Sequence, residues 1–217
     1  MTAGASEPPD ISFDDLRDLD PGEIKAPVEV ESARLSSAQI GSVDWSSALL
    51  EHAHLVDVDL EGARLRGARL IDLLGEGVNA ANGDWGGVSL RRVTFRDSRL
   101  TGIDFGEARL DEISFEDCKI DYANFRHCEI DQVTFTGSTL AEGDFQGACI
   151  RRTRFSGCTL DRADFTKAEL EEVDARGSTI DLAGSVLGLR GLTIDSVQLI
   201  ELSPALASEI GINVKDD

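Results

Sequence analysis

The fold class written into this chain is a repeat array that turns once every five residues, and three observations predict it. Eight of the nine phenylalanines stand ten residues apart: Phe95, Phe105, Phe115, Phe125, Phe135, Phe145, Phe155 and Phe165. Midway between them stand Leu100, Leu110, Ile120, Ile130, Leu140, Ile150 and Leu160, so that from Trp85 to Ile180 every fifth residue is apolar. The residue two before each of these centres, from 83 to 178, is only Gly, Ala, Ser, Cys, Thr, Val or Ile. A fixed period of this kind outranks local propensity, because it defines the architecture. Five matches neither the helical period of 3.6 nor the strand period of 2. Small residues beside each centre indicate an interior too narrow for a second large side chain.

The register begins near Ala33-Arg34-Leu35 and runs through Ile40, Trp45, Leu50, Leu55, Leu60, Leu65 and Leu70. It weakens at Gly75 and Ala80 and resumes at Trp85 in the same phase. Residues 71–84 are therefore expected to be poorly filled, with looser and exposed backbone, and not an inserted loop. The words themselves are Ala108-Arg109-Leu110, Ala123-Asn124-Phe125, Ala148-Cys149-Ile150 and Ala163-Asp164-Phe165. They resemble the pentapeptide-repeat family, whose consensus is Ala-(Asp/Asn)-Leu-x-x, over roughly residues 33–185. That resemblance implies an all-β fold, a right-handed quadrilateral β-helix with one pentapeptide per side and twenty residues per coil. It also implies that the centre and the residue two before it point inward. Sorting by twenties supports this coil length independently: Ser98, Cys118, Ser138, Cys158 and Ser178 fall in one column, and Val93, Ile113, Val133, Thr153 and Val173 in another. Aromatic centres then occupy two opposite sides of the rod and aliphatic centres the other two.

Three regions follow. Residues 1–30 carry four prolines and eight acids against two bases, and read as an acidic lead-in in which Phe13, Leu16 and Leu19 could form one short docking turn. Residues 31–185 are the β-helix. Residues 186–217 leave the register and read as a helical cap. In it Asp195 or Ser196 is an N-cap, Ser203-Pro204 suggests a break and restart, and Gly211 is a stop. An array end needs such a cap, because it exposes core and unpaired strand edge. Val197, Leu199, Ile200, Leu202, Leu206 and Ile210 are its apolar residues. The position of the cap is similar to that of the element through which fluoroquinolone-resistance members of the family pair, which implies a homodimer.

Charge narrows the function classes. With 41 acids against 21 bases the net charge is -20, which argues against a nucleic-acid-binding surface or an anionic membrane. Residues 31–185 carry 28 acids and 17 bases, or -11, and the ends supply the rest. The N-terminus shows no basic and apolar secretory leader, and no apolar run approaches membrane length. The four cysteines lack zinc or redox spacing, so a reducing cytoplasm is the simplest compartment. His52, His54 and His127 have no nucleophile partner, and no phosphate-binding glycine loop is present. Neither a metal nor another cofactor is expected, nor, on a filled rod without a concave pocket, an enzyme.

One surface column is distinctive. The residues before the aromatic centres read Asp44, Arg64, Asp84, Asp104, Asn124, Asp144 and Asp164. As function, these carboxylates make a negative ridge, which on a rod would imitate the field of duplex DNA for a protein partner. As structure, Asp and Asn at this place support a turn by bonding local backbone. The resemblance to the resistance proteins implies DNA gyrase as the partner. The words Lys119-Ile-Asp-Tyr-Ala-Asn-Phe125 and Gly188-Leu-Arg-Gly-Leu-Thr-Ile194 look more like uncharacterised actinobacterial members, and imply an interaction module whose partner is unrelated to DNA.

Overall fold

A backbone that turns every five residues closes a square after twenty, and stacked squares pair as parallel strands. The computed structural model describes residues 12–13, 15–24 and 28–215 and has this form, a right-handed quadrilateral β-helix. Strands β1 (Arg17–Asp18), β2 (Glu29–Ser36), β3 (Leu49–Val56), β4 (Arg69–Glu76), β5 (Ser89–Arg96) and β6 (Arg109–Glu116) pair in parallel order. The ladder continues through β7 (Glu129–Asp131) and β8 (Thr134–Thr136), then β9 (Cys149–Arg151) and β10 (Arg154–Ser156). β11 (Thr159–Ala163) pairs with β14 (Thr179–Leu182) on another side, and β12 (Glu169–Glu171), β13 (Val173–Asp174) and β15 (Leu192–Thr193) close the main ladder. From β2 to β13 the register advances by twenty, as in Leu70↔Leu90↔Leu110↔Ile130↔Ile150↔Leu170. With the partial turns at the ends there are about nine coils.

The corners explain how an L-amino-acid chain holds this path. Every pentapeptide turns at a residue with positive φ. Glycine takes that place at Gly62, Gly67, Gly77 and Gly87, whereas Arg92, Glu112, Tyr122, His127 and Arg152 adopt it with a side chain. The strain of those residues is held by the ladder on both sides.

The core is the aromatic and aliphatic ladder. Phe95, Phe105, Phe115, Phe125, Phe135, Phe145, Phe155 and Phe165 are all buried. Phe125, Phe145 and Phe165 stack face to face at 4.7 Å with planes 2° apart, and Phe115, Phe135 and Phe155 at 4.9 Å on the opposite side. Trp85 ends its column edge-on to Phe105 at 89°. The two columns touch across the rod, Phe125 against Phe135 at 87°. Near-parallel rings 4.7–4.9 Å apart along a column and edge contacts across it are the separations and angles at which aromatic pairs attract.

Residues 71–84 correct one expectation. This stretch is not loose or exposed: Leu73, Val78, Ala80 and Ala81 are buried, and β4 pairs along its whole length. Neighbouring aromatics supply the missing volume. A Cβ on Gly75 would lie 2.7 Å from Cδ1 of Phe95, and one on Gly83 would lie 2.7 Å from Nε1 of Trp85. The small residues are thus the complement of two oversized neighbours.

The end also differs from expectation. After the 3-10 turn Val186–Leu189, β15 adds a partial coil with its register shortened to nineteen, Val173↔Leu192. The helix α1 (Ser196–Glu209) then runs unbroken through Pro204. Proline cannot donate to the carbonyl of Ile200 four residues back, but Ser203 Oγ donates to that oxygen at 2.7 Å and removes the need for a break. Asp195, and not Ser196, is the N-cap, with Gln198 completing a capping box. At the other end β1 pairs with Ala33 and Arg34 of β2, so the lead-in supplies a short edge strand, with Leu16 and Leu19 half-buried. The reading of residues 1–11 as lead-in lies outside the described residues.

Candidate protein-binding column and cap

Each residue of the acid column sits immediately before an inward aromatic or leucine centre, so the ladder fixes its position. Asp44, Arg64, Asp84, Asp104, Asn124, Asp144 and Asp164 bridge one to the next in parallel, making a straight file. The carboxylates face the turn before they face solvent. Oδ1 accepts the backbone N–H two residues on: Ser46 to Asp44 at 3.1 Å, Gly106 to Asp104 at 2.9 Å, Gln146 to Asp144 at 3.0 Å and Thr166 to Asp164 at 2.8 Å. Asn124 accepts from Arg126 in the same way at 3.0 Å. Gly86 approaches Asp84 at 3.5 Å.

Their remaining capacity is also largely engaged. Arg66 Nη1 donates to Asp84 at 2.8 Å, Arg126 pairs with Asp144, and Gln146 Nε2 donates to Asp164 at 2.6 Å. Asn124 Nδ2 donates to Asp104 at 2.7 Å, and Ser46 Oγ to Asp44 at 2.6 Å. Ser46 hydrogen bonds hold the Asp44 carboxyl below the usual carboxylate range. Burial pushes Asp164 up, but bonds from Thr166 and Gln146 outweigh it and leave that carboxyl lowered. Five carboxylates therefore meet three guanidiniums, Arg64 within the file and Arg66 and Arg126 beside it. The column reading counted one file of residues; the two arginines reach it diagonally from the next.

On the next side of the rod bases and acids replace one another from coil to coil, from Arg91 and Arg92 through Asp111 and Asp131 to Arg151 and Glu171, and pair between coils. Arg91 approaches Asp111 at 3.8 Å, Arg109 meets Glu129 at 3.1 Å and Arg151 meets Glu171 at 3.3 Å, each between adjacent coils. Asp131 pairs with Arg152, and Asp72 with Arg92.

The cap places its apolar residues on two faces. Leu202 is buried against the last coil. Val197, Leu199, Ile200, Leu206 and Ile210 are exposed, as are Leu187, Ile212 and Val214 beside them. Sequence reasoning missed Gln198, the buried polar residue that joins helix to rod. Its Nε2 donates to the carbonyls of Ala175 and Ser178 at 2.7 and 2.6 Å, while its Oε1 accepts from Asp195 N at 2.8 Å. On the carbonyl of Ala175 the glutamine amide thus takes the place that Ser178 Oγ and Cys158 Sγ hold on the carbonyls of Phe155 and Phe135. Its signals were the capping-box spacing and its place twenty residues after Ser178.

The cysteines fall as the inward and outward slots require. Burial pushes the Cys118 thiol up to about 11 and the Cys128 thiol up to about 12, and raises that of Cys158. Cys149 is half-exposed, 3.8 Å from Glu169. Among the described residues no group of three His, Cys, Asp or Glu side chains could hold a metal ion, and no helix is long and apolar enough to cross a membrane.

A rod of stacked squares closed by a C-terminal helix is a repeat solenoid by construction. The comparisons carry this to a family: the description "Pentapeptide repeat region" matches residues 88–165 and 108–183, and "Pentapeptide repeats (8 copies)" matches residues 33–71. The chain belongs to the pentapeptide-repeat family. Among solved structures it is similar to QnrB1, a plasmid-mediated fluoroquinolone resistance protein, at 18% identity and a TM-score of 0.59, over 88% of this chain and 94% of that one. It is also similar to HetL, a pentapeptide repeat protein involved in heterocyst differentiation regulation from the cyanobacterium Nostoc, at 21% identity and a TM-score of 0.57, over 72% of this chain and 76% of that one. At these identities the likeness is one of fold. No curated protein matches significantly.

Proposed function

We propose that this protein is a non-enzymatic, cytoplasmic protein-binding scaffold that works as a homodimer through its C-terminal helix. The exposure of Val197, Leu199, Ile200, Leu206 and Ile210 on one terminal helix carries this reading. Large apolar side chains left exposed this densely on one short terminal helix mark a protein contact. Pairing two caps would set the rods end to end and double the length of the binding face. Sedimentation of the parent and of an Ile200→Glu, Ile210→Glu double variant tests it. The parent is expected to sediment as a dimer and the variant as a folded monomer; a monomeric parent sinks the idea.

For the partner, the leading candidate is a type II topoisomerase, DNA gyrase, approached by the column Asp44, Asp84, Asp104, Asp144 and Asp164 as an imitation of duplex DNA. The fold shared with QnrB1 and the straight acid file support it. A coil spacing of ~4.8 Å differs from the ~3.4 Å phosphate rise per strand, so the imitation would be of overall shape and field. Gyrase supercoiling measured with and without the protein, and with a quinolone, decides this version; no effect in either assay removes it.

A second reading, a regulatory module whose partner is unrelated to DNA, is favoured by Arg64, Arg66 and Arg126, which interrupt the acid file. Changing Asp84, Asp104, Asp144 and Asp164 together to Asn keeps the turn acceptor and deletes four charges. Retained binding to a captured partner assigns the column to turn chemistry alone.

A further inference from the structure

The first coils hold part of the lead-in by a set of contacts that the binding column and the cap do not involve. His52 and His54 both project outward from β3, and the ring of Phe13 lies over both, with centroids 5.6 Å from each. The main chain beneath that ring is also gripped. His52 Nε2 is 2.9 Å from the carbonyl of Ser12, and Arg34 Nη2 donates to the carbonyl of Phe13 at 3.0 Å.

These partners fix the protons. A carbonyl only accepts, so His52 carries its proton on Nε2, and Nδ1 accepts from Ser32 Oγ at 3.2 Å. A carboxylate only accepts, so His54 Nε2 donates to Glu76 Oε2 at 2.7 Å. His54 Nδ1 is then the acceptor for Arg34 Nε–H at 3.4 Å. The docked state thus uses both imidazoles as neutral Nε2–H tautomers, and Arg34 is aimed at Phe13 partly by the lone pair of His54 Nδ1.

The two histidines differ in what a second proton would meet. At His52 the new Nδ1–H faces the Ser32 hydroxyl, which can rotate to accept it. At His54 it faces the Nε–H of Arg34, donor against donor and cation against cation. Glu76 would hold the imidazolium in place from the other side, so the arginine is the group that must leave. The other charged groups of this face are accounted for. Arg92 holds Asp72, Arg96 holds Glu116 at 2.7 Å and lies 3.8 Å from Glu76, Asp18 of β1 is the register partner of Arg34, and Glu31 and Glu51 are register partners on β2 and β3.

We propose that Ser32, Arg34, His52 and His54 form a clamp that holds the chain's own Ser12–Phe13 at neutral pH and releases it when His54 takes up a proton. Docking requires the neutral ring, so protons favour release by linkage.

The test is backbone dynamics of the full 15N-labelled chain by NMR at pH 7.5 and 5.5, with the amides between Phe105 and Phe165 reporting that the rod is intact. Phe13 is expected to show a rigid order parameter of about 0.85 at pH 7.5 and to fall below about 0.6 at pH 5.5. His54→Gln can still donate to Glu76 and accept from Arg34 but does not titrate, so Phe13 should stay rigid at both pH values. Phe13→Ala should free the segment at both. Equal order of Phe13 at the two pH values in the parent overturns the proposal, and so does release at pH 5.5 in the His54→Gln variant.

Discussion

At Gly75 the space of a missing side chain belongs to Phe95, whose ring would lie 2.7 Å from an added Cβ. Gly75→Ala is therefore expected to destabilise by about 1–3 kcal/mol through overpacking, read as a lower denaturation midpoint. The serine column carries a second residue-scale prediction. Ser138 Oγ accepts the buried N–H of Cys118 at 3.0 Å and donates to the carbonyl of Thr136 at 3.1 Å. Ser138→Ala leaves that amide unpaired, a loss of about 1–3 kcal/mol. The column identity Ser98, Cys118, Ser138, Cys158, Ser178 was legible in the sequence as a stack of small core residues. Its hydrogen bonds were not, because they run between coils and depend on where a hydroxyl points. Thiol chemistry follows the same geometry: at pH 8 a disulfide reagent should label Cys149, while Cys118, Cys128 and Cys158 should react only on unfolding.

The cap shows why an element can defeat a sequence signal. Ser203-Pro204 has the composition of a helix start, and in most settings proline would end the preceding turn. Here the serine hydroxyl takes the orphaned carbonyl of Ile200. Ser203→Ala should cost about 0.5–1.5 kcal/mol in the presence of Pro204 and close to nothing in a Pro204→Ala background, a double-mutant cycle measurable by thermal unfolding. The N-cap predicts a pH dependence. Backbone N–H groups of Gln198, Gly177 and Val197 hold the Asp195 carboxyl below the usual carboxylate range. A lowered folded-state value means that its stabilisation is present above about pH 4 and is lost as pH falls through the folded value. Protection of the α1 amides should decline there, and Asp195→Asn should remove the dependence.

The whole molecule balances many local ion pairs against a net charge of -20. Exposed pairs contribute roughly 0–1 kcal/mol each, whereas salt relieves the self-repulsion of all the excess acids together. The melting temperature is expected to rise from low ionic strength to about 0.15 M, where the Debye length is ~8 Å; a fall would mean that the inter-coil pairs dominate. At this scale the sequence was most legible, since five- and twenty-residue periods are properties of the ladder that survive any local detail. The acid file was legible as a file: its position follows from the ladder. Its neutralisation was hidden, since Arg66 and Arg126 lie in a different column and reach it only through their length.

The register of twenty has a consequence for how such a chain can change length. Removing or duplicating one coil, for example residues 117–136, shortens or extends the rod by one layer and leaves Phe over Phe and Ile over Leu on every side. Removing a single pentapeptide rotates everything downstream by a quarter turn and seats phenylalanine on leucine. The tolerated unit of genetic gain or loss is then a sixty-nucleotide block, and the rod's length is a quantity that duplication can set in whole steps without redesigning its interior.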